Sequence, residues 1–201
     1  GDTSRWADLA DRYKVREYVQ SLGLGDTLVK LYGRWDKASD IDWDRLPNQF
    51  VLKVNNGCGD ILICRDKDKL DKATVIDTYD RLVSIKYGDV TGEPHYARIQ
   101  PCVIAEELLD INKQSINTSS LIDYKVWCLN GKPYCIWCAW NRGKEGADTG
   151  VYDLDWNYHP EWSVFTEHYR QGKEILPKPK CFERMLEVAS KLSEEFPIPV
   201  S

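Results

Sequence analysis

Phe50-Val51-Leu52-Lys53-Val54 runs directly into Asn55-Asn56-Gly57-Cys58-Gly59-Asp60, and Ile61-Leu62-Ile63-Cys64 follows. Aromatic and β-branched residues make the first run a strand, and the second run pairs with it as a hairpin. The glycines between them let backbone N–H groups approach an anion closely, while Lys53 supplies a positioned charge to the same anion. Strand, glycine loop and strand together are chemistry for a phosphate-bearing ligand. Taken alone, the loop reads equally well as an ordinary hairpin turn with an edge lysine.

Other elements arrange themselves around this one. Trp6, Leu9, Ala10, Tyr13, Val19 and Leu22 keep helical spacing, with Asp2, Thr3 and Ser4 as caps and Gly23 as a stop, which predicts one N-terminal helix. A second helix is expected from near Asp66, with Leu70, Ala73, Ile76, Tyr79 and Val83 inward. Residues 101–109, PCVIAEELL, read as a buried strand ending in acids. Residues 122–129 form another strand, turning at Asn130-Gly131 into KPYCIWCAW, because both residues tolerate positive φ. Phe182, Met185, Leu186, Ala189 and Leu192 line one face of a last helix, with Pro197 and Pro199 beyond it. Between Asn141 and Pro179 lies a long connection, of the kind that is functional or carries short elements of its own. The segments are residues 1–48 (helix and linker), 49–110 (glycine-loop lobe) and 111–201 (C-terminal lobe).

Composition excludes several classes. No apolar run approaches the ~18 residues of a membrane span, and the start lacks the layout of a signal peptide. The net charge of -5 is spread along the chain, leaving no basic stripe for nucleic acid. Seven cysteines, an odd count, fit reduced buried thiols and a cytoplasmic location better than a disulfide framework. Cys135 and Cys138 form a C-x-x-C, but no second pair exists, and positions three apart on a strand face opposite sides. His95, His159 and His168 have no metal spacing, so no metal ligand is assigned. Glu106 and Glu107 are adjacent on a strand and do not converge as an acid/base pair. Asp153, Asp155, Trp156 and Asn157 suit either a sugar-acceptor pocket or the pinning of a loop.

Several motifs occur in a familiar order. Asp11 to Val19, Leu46 to Lys53, Ala105 to Leu109, Asp123-Tyr124-Lys125, Asn130-Gly131-Lys132-Pro133 and Tyr152 to Asn157 resemble segments of ATP-grasp enzymes, at a finer level the TupA-like branch. The resemblance implies an α+β ATP-grasp fold, two lobes around a nucleotide cleft. It implies that Arg12, Lys53, Asn56, Gly57, Cys58 and Gly59 face phosphates, that Glu106, Glu107, Leu108 and Leu109 line adenine, and that Asp123 meets the ribose. Lys125 shares Asp123's strand face and would touch phosphate or substrate. Arg142 follows the strand after which some ATP-grasp enzymes carry an anion-stabilising arginine; a solvated hairpin-end arginine is the plain alternative. Lys53, Lys125 and Arg142 are the catalytic candidates.

Three departures stand out. Arg12 replaces a usual lysine, Asn56 and Cys58 replace histidine and serine, and a thiol donates a weaker hydrogen bond than a hydroxyl. The family's closing strands, which carry the carboxylates for Mg2+, have no counterpart before Ser201, so those ligands are expected beyond it unless this is a shortened form. The implied activity is a carboxylate–amine ligase in bacterial surface-polysaccharide synthesis. It would use ATP and Mg2+ to pass through an acyl phosphate, with a carboxylate- or amine-bearing glycan precursor as partner. A nucleotide-binding module without catalysis and a sugar phosphotransferase are the alternatives.

Overall fold

The computed structural model describes residues 4–57, 61–85, 93 and 95–196. Asp2, Thr3, Cys58, Gly59, Pro197 and Pro199, each given a part above, lie outside the described residues. The chain divides into two compact units, Gly1–Leu109 and Asp110–Ser201.

In the first unit the N-terminal helical pattern is broken in two, α1 (Ser4–Ala10) and α2 (Val15–Ser21). The expected single helix fails at Asp11. Its buried carboxylate accepts the N–H groups of Tyr13 (2.8 Å) and Lys14 (3.2 Å), a local turn that competes with the helical ladder. A four-stranded antiparallel sheet follows, in the order β1 (Leu31–Trp35), β4 (Val103–Glu106), β2 (Phe50–Val54), β3 (Ile61–Cys64). The β2–β3 hairpin forms as its sequence pattern requires. Strand β1 had no such signal, and β4 is shorter than the expected 101–109, because beyond Glu106 the chain leaves the ladder.

Phe50, Leu52 and Val54 alternate inward and pack with Val103, Ala105, Val75 and Tyr79 in the core of this unit. Helix α3 (Lys72–Ser84) supplies Val75 and Tyr79. It starts later than Asp66, which instead caps a single 3-10 turn over Lys67–Lys69. The cap of α3 is Asp71, accepting from the N–H and the hydroxyl of Thr74 at 3.2 and 2.7 Å. Ala73, expected inward, is exposed, since Val75 and Tyr79 already define the buried stripe.

The second unit holds a sheet in the order β5 (Asp123–Leu129), β6 (Lys132–Gly143), β7 (Gly146–Tyr152), β8 (Tyr169–Gln171). Strands β5 to β7 form an antiparallel meander and β8 runs parallel to β7. Asn130 (φ 49°) and Gly131 (φ 72°) both sit in the left-handed region, as a tight primed turn demands. The long 141–179 connection thus carries β7 and β8. Helix α4 (Phe182–Ser193) packs on β5 and β6, placing Phe182 and Leu186 against Ile136, Cys138, Trp140 and Tyr152. No helix among the described residues is long and apolar enough to cross a membrane.

Candidate functional site

Alternation along β2 puts Lys53 on the sheet face opposite the core of the first unit. Registers extend that face across three strands. Ile61, Lys53 and Ile104 form one row; Ile63, Val51 and Glu106 form the next. Lys53 and Glu106 are therefore diagonal neighbours, and Lys53 Nζ lies 2.5 Å from Glu106 Oε2. On the other carboxylate oxygen, Arg16 Nη1 donates to Oε1 at 3.2 Å. Arg16 Nη2 is anchored separately, donating to the Val29 carbonyl at 2.6 Å. Glu106 is 5% exposed, so its charge is desolvated and its two cations are what hold it there.

Exposed apolar surface adjoins this ion network. Ile61 and Ile63, on edge strand β3, are 51% and 52% exposed, and Val51 beside them is half-buried. Beyond Lys53, the strand end is tied down. Arg12 donates from its backbone to Asn55 O (3.1 Å) and from Nη1 to Val54 O (3.0 Å). Asn55 Oδ1 accepts from Cys102 N at 2.7 Å, and Asn55 Nδ2 donates to Gln100 O at 3.0 Å. Asn56 and Gly57 are buried, and Asn56 Nδ2 is a buried donor without a hydrogen-bond partner among the described residues. Glu107 is exposed, with its N–H donating to Lys30 O at 2.9 Å, Leu108 is half-buried and Leu109 is exposed.

Within the second unit, Asp123 and Lys125 share the sheet face opposite the α4 core, and Asp123 Oδ2 takes two cations. Lys125 Nζ is 2.8 Å away and Arg142 Nη2 is 3.0 Å away. Lys125 also sits 6.0 Å from the Trp137 ring centre, within cation–π range. Arg142 reaches Asp123 because the β6–β7 register shifts between Trp140 and Gly143, with Asn141 at φ 51°. Asn141 holds that irregularity, accepting from Ser119 N at 2.8 Å and donating to Asp148 Oδ2 at 2.9 Å. Arg142 is thus ion-paired, not a freely solvated hairpin end. The carboxylate itself is half-exposed.

The Tyr152–Asn157 motif pins a loop. Asp153 Oδ1 accepts from Asp155 N (2.9 Å) and Asn157 N (2.7 Å), and Oδ2 accepts from Asn157 Nδ2 (2.8 Å). Burial opposes ionisation of Asp153, but the hydrogen bonds from Asn157, His159 and the loop amides outweigh it and hold the carboxyl down at about 2. Trp156, at φ 70°, stacks on Tyr152 with ring centres 4.5 Å apart and donates Nε1–H to Leu176 O at 2.8 Å. Its ring belongs to the core.

The six described cysteines are free thiols, and Cys181 is exposed and Cys135 half-buried, contrary to the expectation that all are buried. Burial pushes the Cys135 and Cys138 thiols up, away from the thiolate form a redox pair uses. Among the described residues no three His, Cys, Asp or Glu side chains group as a metal site. What the Lys53–Arg16 and Lys125–Arg142 pairs bring to an anion is positive charge.

Sequence reasoning singled out Lys53, Glu106, Asp123, Lys125 and Arg142 but not Arg16, which the structure places on Glu106, or Asn55, which it places at the end of β2. Arg16 lies inside the Asp11–Val19 motif, four residues after Arg12, which was a usable signal. Asn55 had only its place between Lys53 and the first loop glycine.

None of the curated proteins and none of the solved structures matches the chain. The family model described as TupA-like ATPgrasp matches residues 2–199. Mixed α/β content with two sheets is compatible with that match. On a match spanning nearly the whole sequence, the chain belongs to the TupA-like ATP-grasp family.

Proposed function

We propose that this chain binds ATP and serves a carboxylate–amine ligase of bacterial surface-polysaccharide synthesis. The observation that carries the reading is the Lys53–Glu106 ion pair, 2.5 Å long, set on a sheet face beside the exposed Ile61 and Ile63. A base needs apolar surface and an edge partner; a triphosphate needs fixed cations. Both lie within one patch of two adjacent residue rows. With Arg16 set against Glu106, Arg12 and Lys53 leave that region net cationic, which favours an anionic ligand.

In this reading Lys53 and the Gly57–Gly59 loop take phosphates, and the strand end Glu106–Leu109 takes adenine. In the second unit, Asp123 keeps Oδ1 for a ligand hydroxyl, since Oδ2 already holds Lys125 and Arg142. Those two cations offer positive charge to an anionic substrate group. The substrate carboxylate attacks the γ-phosphorus, the bond to ADP breaks, and an acyl phosphate forms. An amine then attacks the carbonyl, losing a proton as phosphate departs, and leaves an amide. No covalent enzyme intermediate is needed; the residues act by position and charge. Mg2+, as the family generally uses it, would supply further charge neutralisation to the phosphates.

The test is calorimetric titration with a non-hydrolysable Mg-ATP analogue, alongside Lys53→Ala. Saturable binding that the substitution abolishes is the expected result. Absence of binding by the unsubstituted protein defeats the reading. With ATP, a uronic acid and hydroxylamine, hydroxamate formation marks an acyl phosphate. A stable phosphorylated sugar marks a phosphotransferase instead, and binding without either product marks a non-catalytic module.

A further inference from the structure

We propose that Arg16 is a positioning residue that takes over the Glu106 carboxylate when Lys53 leaves it for a nucleotide phosphate. The proposal rests on the nucleotide reading above and deepens it. Lys53 Nζ is held 2.5 Å from Glu106 Oε2, so to serve a phosphate its ammonium must give up that contact or share it. Glu106 has 7% of its side chain exposed, and a buried carboxylate stripped of its cation is strongly disfavoured. With no other cation present, Lys53 would be trapped.

Arg16 removes the trap. Its Nη1 already occupies Oε1 at 3.2 Å, the oxygen Lys53 does not use. Its Nη2 is fixed on the Val29 carbonyl at 2.6 Å, and its side chain is only 12% exposed, so it stays when a ligand arrives. A planar guanidinium makes both bonds at once, which a single ammonium does less well. Lys53 is the more exposed of the two at 20% and sits on a strand beside the glycine loop. Arg16 is therefore the resident partner of Glu106 and Lys53 the transferable one.

The experiment compares affinity for a non-hydrolysable ATP analogue with affinity for adenosine, which has no phosphate to draw Lys53 away. In Arg16→Gln the ratio of the two affinities is expected to fall by about tenfold or more, while adenosine binding stays within about twofold. Arg16→Lys, which keeps the charge, is expected to recover most of the ratio. On a Glu106→Gln background, Arg16→Gln is expected to change the ratio by less than about twofold, because no carboxylate remains to be neutralised.

An unchanged ratio in Arg16→Gln overturns the proposal. So does an equal fall in both backgrounds, which would make Arg16 a simple contributor to the local field. If these variants fail to fold, a structure of the unsubstituted protein with the analogue decides. Lys53 Nζ is expected beyond about 4 Å from Glu106 with Arg16 Nη1 still in place. Lys53 remaining on Glu106 beside a bound phosphate overturns it. Failure to bind analogue and adenosine alike instead removes the nucleotide reading, and this proposal with it.

Discussion

Asn55 and Cys102 are joined twice, Asn55 N donating to Cys102 O at 3.0 Å and Cys102 N donating to Asn55 Oδ1 at 2.7 Å. This pair fixes the point where β2 becomes the glycine loop to the segment entering β4. Both residues are almost wholly buried, so neither bond is replaceable by water.

Asn55→Ala strands the buried Cys102 N–H and is expected to destabilise the protein by about 1–3 kcal/mol in urea unfolding. Because the loop root loses its tether, analogue affinity is expected to fall further than that of a surface variant of equal stability. Unchanged stability would show that the loop holds its place without this clasp.

Asp123→Asn separates seating from stability. The carboxylate and its two cations are 34%, 43% and 41% exposed, and ion pairs so solvated contribute at most about 1 kcal/mol. Its urea midpoint is expected to stay near that of the unsubstituted protein. Hydroxamate formation is expected to fall about tenfold or more as Lys125 and Arg142 lose their common anchor. A large loss of stability with retained turnover would reverse the assignment.

Gly146 has φ 108°, and a Cβ there would sit 2.2 Å from His168 O, the carbonyl that Ala147 N uses to pair β7 with β8. Gly146→Ala is expected to cost roughly 2–4 kcal/mol, combining backbone strain with a clash against main chain. Gly143→Ala, with open space around its Cβ, is expected to cost less than about 1 kcal/mol. Chemical denaturation of the two variants side by side checks the contrast.

His159 lies between Glu161 (2.7 Å) and Asp153 (3.0 Å), and the hydrogen bonds its ring N–H groups donate to those carboxylates, to Glu161 first, raise its pKa. A raised value means that the imidazolium stabilises the fold. That contribution is fully present below the ordinary histidine value of about 6.5 and is lost as pH climbs through the raised folded value. Thermal midpoints measured from about pH 6 to 9 are expected to decline more steeply for the unsubstituted protein than for His159→Gln. Parallel profiles would show the charge to be irrelevant.

Local pattern alone determined the β2–β3 hairpin, the Asn130-Gly131 turn and the apolar stripe of α4. Each is set by residues close in sequence, through alternation, positive-φ tolerance or helical period. The same local signals placed Lys53 at the root of a glycine loop and Asp123 with Lys125 on one strand face. Only the tertiary structure decided what those charges meet. Glu106 reaches Lys53 because β4 inserts between β1 and β2, and Arg16 reaches Glu106 because Asp11 breaks the helix that would otherwise carry it. Arg142 reaches Asp123 through a register shift that no periodicity announces. A strand's alternation tells which side chains share a face. It does not tell which distant strand supplies the neighbour, because that choice is made by packing across the whole sheet.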